Sequence, residues 1–306
     1  MQELRLCRYA EEAASTGWRR TTWRGERGGE VLRKKDGEGV TPHMVSIIIV
    51  NYNTPTLVHD CLVSIEKMLT IPYEIIVVES GTDHPTDSTD LDRFHCLHIP
   101  TTKRRGFGQA NNLGAAKAKG EFLWFLNSDT VIPNHRINQL FPLFNHHKQI
   151  GILSPVLYND HALQVMQPDF YASFQSFRTL LTRKVRPTIN WKNSALPEMI
   201  PVDVVVGASL IIRRNLFQKI GGFDENIFMY MEDDDLCYRS FKAGYLTAIA
   251  TQAHLVHLQG KSLKKNRTRK SLYYRSQNYF WQKHYGVGAA LLMRGIRLPF
   301  RLVKSL

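Results

Sequence analysis

The sequence predicts an α/β fold, a mostly parallel sheet flanked by helices, and three observations lead there. From Met44 onward, strand-like and helix-like stretches alternate, the order that builds parallel sheets covered on both faces. The strand-like stretches "VSIIIV" (45–50), "EIIVV" (74–78) and "EFLWFL" (121–126) are nearly unbroken apolar runs, as in strands buried on both sides. Each run stops abruptly on polar residues, at Asn51–Asn53, Glu79–Ser80 and Asn127–Asp129.

Taken in order, residues 1–43 are rich in Arg, Gly and Glu with little apolar periodicity, and read as a poorly ordered N-terminal extension. Met44 is the expected native start, which N-terminal sequencing of native protein would test. After the first strand and the turn "NYNTP", the segment "TPTLVHDCLVSIEKML" offers Thr54 as N-cap and Pro55 at the first helical position. Its expected inward face is Leu57, Cys61, Ile65 and Met68. "EIIVV" is the second strand and "FHCLHI" (94–99) the third. "FGQANNLGAAKAKG" reads as a helix closed by Gly120, with "EFLWFL" the strand after it. The pattern recurs less clearly over 134–156. Residues 170–200, with Trp191 and several basic groups, read as a loop over the site. "VDVVVGASLIIRR" returns to strand character, Gly221–Gly222 marks a break, and Glu232–Asp235 opens an acidic helix. "LTAIA" then leads to His254 and His257.

Composition narrows the function classes. With 306 residues and 43% hydrophobic content, the chain suits one large globular domain or two small ones. No apolar run reaches the roughly 20 residues needed to span a bilayer. Glu3, Glu11 and Glu12 interrupt the start, so no secretory signal is read there. The four cysteines are far apart with no CxxC pair, which suits a reducing, cytoplasmic setting. The net charge of +13 is concentrated at the end, because residues 261–306 hold twelve Lys or Arg and no Asp or Glu.

Ligands of open parallel sheets bind beyond the carboxyl ends of the strands, which puts the three polar stops on one rim. Asp129 alone is also ordinary turn material. Glu232, Asp233, Asp234 and Asp235 in succession repel one another unless something cationic or a helix N-terminus offsets them. For Asp235, an ion pair with Arg239 one turn on is as good a reading as catalysis. Asp233, at a rigid helix start facing the crevice, is the candidate general base.

Together, "VSIIIVNYNT", "EIIVVESGT", "GFGQANNLGAAKAKGEFLWFLNSDTVI", "VGASLIIRR", "GGFDENIFMYMEDDDLCYR" and "HLVHLQGKS" resemble the family 2 glycosyltransferases, especially bacterial rhamnosyltransferase-like members, over about residues 45–262. The resemblance implies a Rossmann-like GT-A fold with a single catalytic domain over 44–260 and a basic helical tail over 261–306. It also implies a nucleotide-sugar donor, Mg²⁺ or Mn²⁺, and inversion at the anomeric carbon. On the matching positions, Asn51 and Asn53 meet the nucleotide and Glu79 its base, with Asn112 and Asn127 also on the donor. Asp129 and His257 hold the metal, and Asp233 is the base. This chain departs from the family pattern at Asn127, where an acid is usual, and at Glu79–Ser80, where Asp-Asn is usual. The implied donor is dTDP-rhamnose or a UDP-sugar, and the implied acceptor a glycan or lipid-linked glycan in cell-surface polysaccharide synthesis.

Rival readings are weaker. "GFGQANNLG" lacks the third glycine of a dinucleotide fingerprint, since Asn111 stands there, and no GxxxxGK[ST] loop exists. The basic, aromatic tail allows another class of function, a nucleic-acid or membrane binder carrying a non-catalytic GT-A-like domain. Nucleic acid is not expected; the other readings of the tail are an anionic surface on the inner face of the plasma membrane, which is preferred, and a solvated helix packed on the catalytic domain.

Overall fold

The computed structural model describes residues 44–159, 196–258 and 267–303. The expected N-terminal extension and most of the expected loop over the site lie outside the described residues. The elements run β1 (Val45–Asn51), α1 (Pro55–Met68), β2 (Tyr73–Glu79), α2 (Ser88–Arg93), β3 (Leu97–Ile99), α3 (Phe107–Lys117) and β4 (Phe122–Asn127). Then come β5 (Thr130–Val131), a 3-10 turn (His135–Gln139), α4 (Leu140–His146), β6 (Ile150–Asn159), β7 (Met199–Val202), β8 (Ser209–Arg213) and α5 (Arg214–Lys219). α6 (Glu232–Lys242), β9 (Leu246–His257) and α7 (Arg267–Val303) complete the chain.

All nine strands join one sheet in the order β3-β2-β1-β4-β8-β6-β9-β5, with β7 also paired to β9. β3, β2, β1 and β4 are parallel, β8 runs antiparallel between β4 and β6, and β6 and β9 are parallel again. The apolar runs explain the burial. Side chains alternate between faces along a strand, so Ile47, Ile49 and Trp124 meet α1 and α4 on one side. Ile48, Phe125 and Ile212 meet Ala110, Phe217, Phe223 and Leu236 on the other.

Some local expectations change. Thr54 and Pro55 do begin α1, but its inward face is Val58, Cys61, Leu62, Ile65 and Leu69, with Leu57 and Met68 only half buried. The packed face is therefore rotated by about one position. The third strand shrinks to Leu97–Ile99, because α2 runs to Arg93 and His95 then takes φ 51°. Gly120 does not close α3. Ala118 already leaves helical geometry at φ −67°, ψ 137°, and Gly120 is needed because a Cβ there would stand 2.6 Å from the Ser46 backbone nitrogen. The run "VDVVVGASLIIRR" splits into β7 and β8, with residues 203–208 outside either strand. α7 breaks at Gly286, whose φ of 87° lies outside helical space.

Candidate active site

The rim at the carboxyl ends of β1 and β2 is tied together by side chains. Asn51 is fully buried, and its amide donates to Glu79 Oε2 at 2.9 Å and the His84 carbonyl at 3.1 Å. Its Oδ1 accepts from the Thr54 backbone N–H at 2.9 Å. Glu79 is buried, and its other oxygen accepts from Thr86 N–H at 3.0 Å. Asn53 sits in the left-handed region at φ 58°, which Asn tolerates better than most residues. Its Oδ1 accepts from Thr82 Oγ1 at 2.6 Å and from the Asp83 N–H at 2.8 Å. These three predicted donor residues therefore shape the loop over 80–86 from below. Their side-chain polar groups are already engaged within the protein.

Beside this loop, Thr54 does not cap α1 with its side chain; its hydroxyl instead meets Ser128 Oγ at 3.0 Å. That contact links the β1 turn to the turn after β4. There, Asp129 is buried and its Oδ1 lies 3.0 Å from His257 Nε2. The pairing follows from topology. β5 runs antiparallel to β9 with Thr130 opposite His257, and Leu258 N–H donates to the Asp129 carbonyl at 2.8 Å. His257 Nδ1 is buried without a hydrogen-bond partner. Among the described residues no group of three or more His, Cys, Asp or Glu is gathered for a metal. A carboxylate oxygen and an imidazole nitrogen at hydrogen-bonding distance nonetheless fit a site for Mg²⁺ or Mn²⁺, because such ions keep few protein ligands and take the rest from substrate phosphates and water.

Asp233 reaches the same rim from another direction. The Asn127 N–H at the end of β4 donates to the Ala208 carbonyl at 3.0 Å, and the next residue back, Gly207, donates its N–H to Asp233 Oδ2 at 2.9 Å. Asp233 keeps an exposed edge, yet desolvation raises its pKa above the ordinary carboxylate value, against the N–H bonds from Gly207 and Asp234 that lower it. Its neighbours behave likewise. Burial, then the charge of Asp233, pushes Glu232 up to about 8 and Asp234 well above its usual value. Asp235 goes the other way. Burial alone would raise it, but His284, Arg239 and Lys283 hold it below. The turn into α6 is strained, because Tyr230 and Met231 both sit at positive φ, 67° and 70°. For non-glycine residues this costs about 1–3 kcal/mol each.

The remaining candidates fall elsewhere. Asn112 bonds the Phe223 backbone in both directions, at 2.9 Å each, and Glu225 at 3.1 Å. It lines a cavity of about 380 Å³ with Asp224, Arg239 and Lys283, a lining that includes none of Asp129, Asp233 and His257. Its carboxamide thus ties α3 to the loop before α6. Asn127 is half exposed at the rim. His254 turns to Asn134 at 3.2 Å and to the Tyr158 ring instead of joining Asp129. Sequence reasoning missed Gly207, whose N–H is conspicuous only once Asp233 is beside it. It also missed Lys283 and His284, which were hidden in a basic tail.

The sequence profile of glycosyl transferase family 2 matches residues 46–221. The chain belongs to this family. This family 2 member is 24% identical over 246 residues to an N-acetylglucosaminyl-diphospho-decaprenol L-rhamnosyltransferase of Mycobacterium tuberculosis, covering 72% of this chain and 77% of that one. It is 29% identical over 164 residues to the rhamnosyltransferase WbbL of Escherichia coli, covering 50% and 60%. Among solved structures it superposes on GalNAc-T7, determined with UDP, GalNAc and Mn²⁺, with a TM-score of 0.59 at 15% identity. That match covers 79% of this chain and half of the other. The GT-A fold, a rhamnosyltransferase-like family 2 sequence and glycosyltransferase chemistry are the common ground.

Proposed function

We propose that this family 2 glycosyltransferase is an inverting enzyme, moving a sugar from dTDP-rhamnose or a UDP-sugar to a hydroxyl of a glycan or lipid-linked glycan in cell-surface polysaccharide synthesis. The observation that carries the reading is the convergence of two groups on the carboxyl end of β4. Asp129, two residues after Asn127, pairs with His257, and Asp233 is held by the N–H of Gly207, whose neighbour Ala208 accepts from the Asn127 N–H.

Asp129 and His257 would hold Mg²⁺ or Mn²⁺, which stabilises the negative charge of a departing diphosphate. Asp233 takes the proton of the acceptor hydroxyl as its oxygen attacks the anomeric carbon and the sugar–phosphate bond breaks. A positioned carboxylate contributes roughly 10²–10⁴-fold by such general base catalysis. Burial raises the pKa of Asp233, which makes it a stronger base than a solvated carboxylate. One base opposite the leaving group is what inversion needs, by analogy with glycoside hydrolysis. Asn51, Asn53 and Glu79 fix the loop on which the nucleotide rests, and Asn127 ends β4 at the same rim.

Thermal shift with UDP, dTDP and GDP, each with and without Mn²⁺ and repeated with Asp129→Ala, tests the site, since a ligand of the folded state raises Tm. A metal-dependent shift for one nucleotide, lost in the variant, is expected. No shift with any nucleotide in a folded sample overturns the reading.

The tail supports an anionic membrane surface as partner. Among the described residues no helix is long and apolar enough to cross a bilayer. Past Gly286, however, Val287, Leu291 and Leu292 are exposed while Ala290 and Met293 pack inward. An exposed apolar strip among Lys and Arg suits the headgroup boundary. Leu291→Glu with Leu292→Glu is expected to abolish co-sedimentation with anionic vesicles. Unchanged binding removes the membrane role.

A further inference from the structure

Four successive carboxylates open α6, and the last of them is answered by side chains from outside the helix. Asp235 is fully buried. Its Oδ1 accepts from Lys283 Nζ at 2.6 Å and His284 Nε2 at 2.7 Å, and its Oδ2 from Arg239 Nε at 2.7 Å. Arg239 belongs to α6, but Lys283 and His284 come from α7. The same stretch of α7 grips the chain leading into α6 at further points. Ser276 Oγ donates to the Met229 carbonyl at 2.8 Å, while Tyr279 and Lys283 donate to Asp224 at 3.0 and 2.6 Å. Phe280 and Trp281 pack on Met231. Between these grips lie the left-handed Tyr230 and Met231, a conformation that persists only where its surroundings over-determine it. Asp233 follows two residues later.

We propose that Lys283 and His284 are positioning residues for Asp233: by clamping Asp235 they hold the first turn of α6 so that Asp233 stays on the Gly207 N–H. This rests on the reading of Asp233 as the base. The titratable groups facing Asp235 are Arg239 on its own helix and Lys283 and His284 from α7, with Asp224 sharing Lys283. Removing Lys283 and His284 leaves the buried Asp235 with Arg239 alone and loosens the turn that aims Asp233. The Gly207 N–H bond lowers the pKa of Asp233 against burial, so an Asp233 that leaves it would lose its proton only at higher pH.

The test compares the full chain with K283M/H284N, K283M, K283R and K283M/D235N. Two readouts need no turnover: ¹³C carboxyl titration of the α6 acids, and amide hydrogen exchange over residues 229–236. In K283M/H284N the carboxyl midpoints are expected to move up by about one pH unit, and exchange at 229–236 to quicken while that of β4 holds. In turnover, kcat at neutral pH falls about tenfold, KM for the donor is unchanged, and the acid limb of the kcat profile shifts upward by the same unit. K283R restores most of the loss, and D235N, by removing a buried carboxylate that has lost Lys283, restores part of it in K283M. Lower Tm with unmoved midpoints and an unmoved acid limb would mean that α7 only braces the fold, and the proposal falls. If the double variant does not fold, K283M alone must still move the midpoints, and failure to do so is equally fatal. If the wild type turns over no nucleotide sugar, the proposed function fails, and the titration and exchange still decide the clamp.

Discussion

Asp233 and Glu232 are adjacent acids with different prospects. Asp233 has an exposed edge and two backbone donors, whereas Glu232 is buried with one oxygen, Oε2, unpartnered. Asp233→Asn keeps the shape and removes the base. It is expected to lower kcat roughly 10²–10⁴-fold and leave nucleotide binding by thermal shift within error. Because burial raises the pKa of Asp233, activity in the wild type should rise with pH above the ordinary carboxylate range before levelling. For Glu232 the consequence is stability. Its folded value, about 8, exceeds its ordinary value of 4.5, so between these values the folded state binds more protons than the unfolded state. Stability from this group is complete below about 4.5 and is lost as pH rises towards 8. Glu232→Gln should flatten that fall, which Tm measured from pH 5 to 9 would reveal.

At the scale of elements, the site depends on close approaches that only small residues permit. Gly114 on α3 faces β1, and a Cβ there would stand 2.5 Å from Ile48 Cγ2, in a fully buried layer. Ile48 is β-branched and has little freedom to move aside. Gly114→Ala is therefore expected to cost about 1–3 kcal/mol by overpacking, read by urea unfolding. If stability is unchanged, α3 can shift outward without penalty. Strands β1, β2 and β4 could be read directly from their apolar runs. The sequence makes β3 too long and the run over β7 and β8 one stretch, because an edge strand needs few apolar residues and a chain leaving the sheet to hold Asp233 can be as apolar as one within it.

For the whole molecule, Pro42–Leu306 clusters as one compact unit, and α7 is part of it. Deleting residues after 266 removes Lys283 and His284 from the buried Asp235 and uncovers Met231. Breaking a buried ion pair from one side costs about 3–5 kcal/mol, so the shortened chain should melt well below the full one even without membranes. An unchanged Tm would show that α7 is an appendage. On the acid side, Asp235 and Asp224 are held low, Asp224 at about 2. The stability they contribute is complete above their ordinary values near 3.8 and is lost as pH falls below them. With the loss at Glu232 on the alkaline side, Tm should be highest in the mildly acidic range.

The sequence by itself determined the fold class, the rim of polar stops and the candidacy of Asp129, Asp233 and His257, because strand burial and strand ends leave local patterns. The family resemblance, also legible there, supplied their roles. Tertiary structure alone decided which candidates meet. Asp129 finds His257 across 128 positions and Asp235 finds Lys283 across 48, whereas Asn112 turns away to Phe223. Such pairings follow from strand order and helix docking, and neither composition nor spacing records which distant cation will answer a buried acid.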